Sequence, residues 1–199
     1  MRLSLFAVGT SLLLASMPAA AQQGAAAGMR VAPSGRATTQ ITVAHRPAGA
    51  ERAINQVVRI DYGQPHARGR DVAGGLIPYD QVWRTGANEA TSLTTEVDLE
   101  IGSLRVPKGS YTLYSFLTRD GWRLAINRQT GQWGTQYDAA QDLGRVDMAL
   151  RQLQEPRESF TMTLVPSGDA PLGGSLVLSW GNVQGTVPFR VVGGASASP

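Results

Sequence analysis

The stretch "VWRTGANEAT", residues 82–91, gathers Trp83, Arg84, Asn88 and Glu89 around Gly86 in a chain with 17% charged residues. A guanidinium offers a planar fork for carboxylate, phosphate or sulfate. An amide side chain both donates and accepts, and a carboxylate accepts or acts as a base. The segment before it adds Tyr62, His66, Arg68, Arg70 and Asp80, and Trp133 and Tyr137 further along offer flat faces for stacking. Polar groups set among aromatic walls suit a sugar or a small anion. The ligand-binding candidates are therefore Tyr62, Arg68, Arg70, Trp83, Arg84, Asn88, Glu89, Trp133 and Tyr137. Trp122 and Trp180 alternate with polar neighbours and read as core.

The same residues have a structural reading. On a strand end, Val82 and Arg84 share one face and Trp83 takes the other. If Trp83 fills the core, Arg84 is displayed outward. If Val82 faces the core, Arg84 is drawn inward and needs an anion, for which Glu89 is the nearest candidate across Thr85-Gly86-Ala87. A buried Arg84–Glu89 pair would be a folding knot, and breaking it would cost about 3–5 kcal/mol.

Catalysis asks for stricter spacing. Glycoside hydrolysis would pair Glu89 with Asp80 or Asp71, but carboxylates are too common for that to be specific. No G-x-S-x-G elbow is present, and neither His45 nor His66 has a Ser/Asp context for acyl transfer. With two histidines a three-histidine zinc site is excluded. A mixed site on His66 with Asp80 or Glu89 is the remaining metal option. No metal and no cofactor are expected.

The elements that would position these residues have period two. Val146, Met148 and Leu150 alternate with polar or small neighbours, as do Phe160, Met162 and Leu164, then Leu176, Leu178 and Trp180, and Val187, Phe189 and Val191. These are half-buried strands. "SYTLYSFL", residues 110–117, is bulky on both faces and reads as a central strand. Gly102-Ser103, Pro107-Lys108-Gly109, Asp120-Gly121 and Gly173-Gly174 mark turns, with Asp120-Gly121 a hairpin. Roughly nine or ten short strands, with one helical turn at most in "YDAAQDLGR", predict an all-β fold, a single antiparallel β-sandwich. A closed barrel is the alternative. Residues 63–80 and 128–142 break the rhythm as long loops, which in compact domains are functional or disordered.

Residues 1–21 have the parts of a secretory signal: Arg2, an apolar run from Leu3 to Ala15, and Ala19-Ala20-Ala21 for cleavage. The run falls short of the roughly 20 residues of a spanning helix, so no membrane insertion is expected after cleavage. Residues 22–38 read as a flexible leader, 39–192 as one domain, and 193–199 as a flexible tail. There is no cysteine, which excludes disulfides, thiolate chemistry and lipid attachment at a cysteine. The net charge is +3, but the basic residues are dispersed and form no stripe, so nucleic acid is not expected as a partner.

"YGQPHARGR", "GGLIPYDQVWRTGANEAT", "VPKGSYTLYSF", "GWRLAINRQTGQWGTQYD" and "DLGRVDM" resemble, in order, the successive blocks of the domain of unknown function 2911 family of exported bacterial proteins. The resemblance spans roughly residues 40–192. The chain departs from it at His66 and at Asp71-Val72-Ala73, where the family is more basic and aromatic. It implies export, to periplasm or beyond the cell, and a β-sandwich, and it carries no activity or catalytic residue. The expected function is a non-catalytic module for a glycan or small anion. The alternatives are a structural or protein-interaction domain built on an Arg84–Glu89 knot, and a hydrolase using Glu89.

Overall fold

The structure, a computed structural model, describes residues 32–46, 49, 51–168 and 172–192. The signal segment 1–21, residues 22–31 of the leader and the tail 193–199 lie outside the described residues.

Ten strands are found among these residues: β1 Gly35–His45, β2 Ile54–Gln64, β3 Val82–Trp83, β4 Thr91–Thr95, β5 Leu99–Ile101, β6 Leu104–Val106, β7 Gly109–Leu117, β8 Trp122–Asn127, β9 Asp142–Pro166 and β10 Gly173–Val191. One 3-10 turn, Ala139–Gln141, precedes β9. Every pairing is antiparallel, in the order β1-β2-β4-β7-β8-β9-β10-β5-β6, with β3 beside β7. The sheet folds over as a sandwich and does not close into a barrel. Period two in the sequence becomes period two in burial: Val58, Ile60 and Tyr62 face inward along β2, and Phe160, Met162 and Leu164 do so along β9.

The strands are not uniformly short. The two runs around Val146 and Phe160 belong to one 25-residue strand, and those around Leu176 and Val187 to one of 19 residues. β9 pairs with β8 as far as Met148. It then pairs with β10, but between Gln152 and Arg157 the register jumps, leaving residues 153–156 opposite Asn182 alone. A bulge bends a strand and adds twist, and this one lets β9 pass from the first layer to the second. Gly173-Gly174 open β10, with Gly174 paired to Pro166, so the turn lies before them. β1 begins at Gly35, inside the stretch assigned to the leader, and Ala37 already faces inward.

The layers meet on a cluster of aromatic rings. Trp83 stacks on Trp180 with centroids 5.6 Å apart, and meets Phe160 edge-on at 5.0 Å. Trp122 lies 6.5 Å from Trp83, and Tyr62 meets Phe160 edge-on at 5.5 Å. Each such pair contributes about 0.5–1.5 kcal/mol beyond its buried area. The long loop after β2 plugs one side of the core. Its Val72 and Ile77 are buried in the core, and Ile77 N–H and Gly75 N–H both donate to the Val72 carbonyl. Val72 packs against Gly181, where a Cβ would fall 2.7 Å from the Val72 Cβ.

Candidate functional site

The edge of β7 explains the shape of "VWRTGANEAT". β3 holds that edge with Trp83 opposite Ser115, and β4 takes it over with Thr91 opposite Leu113. Residues 84–90 therefore leave the sheet and return two residues further along β7, at Leu113 instead of Ser115, as a compact loop. Such a path needs unusual backbone. Thr85 has φ 52° and Asn88 φ 63°, the left-handed region that side chains other than glycine and asparagine rarely adopt. A β-branched residue there is strained, and strain of this kind concentrates at functional or tightly determined positions.

The inward half of the loop is a knot, though not the one expected. Trp83 is 7% exposed and belongs to the core, so it is not a stacking platform. Thr85, fully buried, sets its hydroxyl 3.0 Å from that of Ser115, and the Thr91 hydroxyl donates to the Thr85 carbonyl at 2.8 Å. Ala87 N–H donates to the Gly63 carbonyl at 3.1 Å. The approach is so close that a Cβ on Gly63 would collide with the Ala87 carbonyl. Hydroxyls and amides, rather than an ion pair, hold the loop.

The outward half answers the question of Arg84. With Trp83 inside, Arg84 lies half-buried, its stem packed on Gly134, where a Cβ would fall 2.7 Å from Arg84 Cδ. Among the described residues its guanidinium makes no hydrogen bond or ion pair. Glu89 turns instead to Arg36 of β1, at 3.6 Å, both side chains largely exposed. The expected Arg84–Glu89 pair is thus not formed. Asn88 Nδ2 donates to the Ser34 carbonyl at 3.3 Å. Trp133 is displayed beside them, 47% exposed. Its neighbours are pinned: Ala90 N–H donates to the Gln132 carbonyl at 3.2 Å, and Gly134 N–H to the Asn88 carbonyl at 3.1 Å. The fold brings Arg84, Asn88, Glu89 and Trp133 to one surface and adds Arg36.

The other candidates are occupied elsewhere. Tyr62 is buried, and its hydroxyl accepts the Met162 amide. Arg68 donates to the Pro33 carbonyl and so ties the loop to the segment before β1, whereas Arg70 donates to the carbonyls of Ala67 and His66 and braces its own loop. His66 Nδ1 lies 2.8 Å from the Ser159 hydroxyl on β9, apart from Glu89. No group of three or more metal-ligating side chains occurs among the described residues. Asp80 N–H bonds to Leu117 at the far end of β7, and Glu89 meets an arginine rather than the second carboxylate that glycosidase chemistry requires.

Tyr137 belongs to a separate network that the residue pattern did not reveal. Its hydroxyl donates to Asp142 Oδ2 at 2.6 Å and accepts from Arg145 Nη2 at 2.7 Å, while Arg145 Nε donates to the same Asp142 oxygen at 2.8 Å. Asn127 closes on Asp142 Oδ1 at 2.9 Å. Burial first, and the Asp142 carboxylate second, push the Tyr137 hydroxyl up to about 12. Asp142 and Arg145 are three apart, a spacing that does not share a face on a regular strand. The register shift after Ile126 accompanies their meeting.

A family profile described as "Protein of unknown function (DUF2911)" matches residues 47–189. No curated protein and no solved structure matches the chain. The matched span takes in β2 to nearly the end of β10 and every residue of the knot, and the chain belongs to the DUF2911 family.

Proposed function

We propose that the protein is an exported, non-catalytic binding module whose ligand is a glycan carrying an anionic group, held on the face of Trp133, Arg84, Asn88 and Glu89. The observation that carries this reading is Trp133, displayed at 47% exposure on a segment whose backbone is tied on both sides to a strained loop. A fixed tryptophan face stacks on a sugar ring with little ordering cost, and the half-buried guanidinium beside it supplies a fork for a carboxylate or sulfate. Asn88 and Glu89 add acceptors for hydroxyls.

Tryptophan fluorescence tests it directly, because Trp83, Trp122 and Trp180 are buried and Trp133 is not. Titration with oligogalacturonate is expected to shift the emission, with neutral glucose oligomers binding more weakly. Trp133→Ala should abolish the response with Tm unchanged. Failure of acidic and neutral oligosaccharides alike to shift emission would remove the reading. The buried hydroxyl network of Thr85, Ser115 and Thr91 supports a second reading, a structural or protein-interaction domain in which the motif serves folding alone.

A further inference from the structure

A cavity of about 610 Å³ lies away from Trp133, at the end of the sandwich where β1, β10 and the β6–β7 turn come together. Its size falls in the range of small-molecule sites, about 300–1,000 Å³. Val43, Val97, Leu172 and Val191 supply apolar walls. A shallower depression adjoins it, sharing Gln56, Glu96 and Lys108 and adding Ile54. Ile54 and Leu172 are among the few large apolar side chains left exposed, at 48% and 54%, and both open onto this end.

The polar groups here are unequally engaged. Asp98 accepts the Lys108 N–H at 2.9 Å and Arg105 Nη2 at 2.9 Å. That backbone bond first, and Arg105 second, hold its carboxyl below the usual carboxylate range. Glu96 accepts the Val57 N–H at 2.7 Å. Asp98 and Arg105 thus neutralise each other, while Glu96 is held through one carboxylate oxygen by a backbone amide. The ammonium of Lys108, the chain's one lysine, makes no hydrogen bond or ion pair among the described residues, and neither does the His45 ring. An uncommitted cation at the mouth of an apolar cleft selects for an anion with an apolar body.

We propose that this cavity is a second ligand site, for a small amphiphile whose acyl or alkyl chain lies against Val43, Val97, Leu172 and Val191 and whose carboxylate or phosphate meets Lys108. Lysine serves here as a point charge, so the head group needs negative charge but no particular geometry. The site is independent of Trp133 and of whatever binds there.

The test is calorimetric titration of the mature protein with decanoate, decyl phosphate, decanol and phosphatidylglycerol vesicles. Decanoate and decyl phosphate should each saturate one site, with decanol, which lacks the charge, about tenfold weaker. Lys108→Ala should weaken decanoate by about tenfold and Lys108→Arg should retain most of the affinity. Leu172→Asp should abolish binding. Both positions are exposed, so Tm should be unchanged, and Trp133→Ala should leave decanoate binding intact. The proposal is overturned by absence of saturable decanoate binding, by equal binding of decanol, by an unchanged affinity in Lys108→Ala, or by binding confined to the vesicles.

Discussion

The Tyr62 hydroxyl on β2 accepts the Met162 amide of β9 at 3.1 Å, across 100 residues of chain. It is one rung of a seam. Leu164 N–H finds the Thr39 hydroxyl at 3.1 Å, and Phe160 N–H the Pro65 carbonyl at 2.9 Å. Three alternate amides of β9, which in a closed barrel would bond to a neighbouring strand, are instead satisfied by two side chains and a loop carbonyl. The sheet can therefore fold back upon itself and remain open, with the backbone hydrogen bonding that burial demands still complete.

Tyr62→Phe keeps the ring against Phe160 and removes only the acceptor. The Met162 amide is then orphaned in a buried setting, at a cost of about 1–3 kcal/mol. Chemical denaturation should show that loss with an unchanged m value, whereas Thr39→Val, at a less buried rung, should cost less. A Tyr62→Phe protein as stable as the parent would mean that the seam contributes nothing.

Gly63 and Asn88 test the strained loop from both sides. Gly63→Ala places a methyl on the Ala87 carbonyl, a backbone clash that no rotamer relieves, so most of the protein is expected in the insoluble fraction. Asn88→Gly suits φ 63° and should be neutral within about 1 kcal/mol, while Asn88→Val should cost at least about 1–2 kcal/mol. If Asn88→Val melts with the parent, the left-handed geometry is not held in solution.

Much of this fold is legible in the sequence wherever one face meets water, because alternation then records burial, as along Val146-Asp147-Met148. It fails at residues 151–158, where β9 is polar on nearly every side as it changes layers, and one strand reads as two. It fails again at Val72 and Ile77, which reach the core from a loop with no period to announce them. In the site, residue type draws attention to the charged pair Arg84 and Glu89, yet Thr85, Ser115 and Thr91 hold the loop. Their hydroxyls lie on different elements and share no sequence spacing. The Thr-Gly step at 85–86 is the local sign of a left-handed turn.

The energetic consequence for Arg84 and Glu89 is the reverse of what a buried pair would bring. Glu89→Gln breaks only an exposed contact with Arg36, within about 1 kcal/mol, and Arg84→Ala should lose little more than the packing of its stem on Gly134. Differential scanning calorimetry should therefore find both variants close to the parent. A loss of about 3–5 kcal/mol in either would restore the knot built on charge.

Alkaline pH should act through Tyr137. Its hydroxyl is pushed up to about 12 in the folded chain from an ordinary value of 10.0, by burial and by donation to Asp142. The folded pKa is raised, so the neutral form is favoured by folding. That contribution is complete below pH 10 and is lost as pH rises from about 10 through about 12. Burial also raises Tyr111 and Tyr114, so the whole protein loses stability in that window and a difference measurement is needed. Tyr137→Phe deletes the ionisable group and the donor to Asp142. Its stability relative to the parent should be lowest near neutral pH and recover steadily above pH 10, as the parent alone loses the Tyr137 contribution. Urea denaturation at a series of pH values, with ultraviolet titration of tyrosinate in both proteins, separates the two effects. A stability difference flat through pH 12 would show that the Tyr137–Asp142 hydrogen bond does not hold the proton.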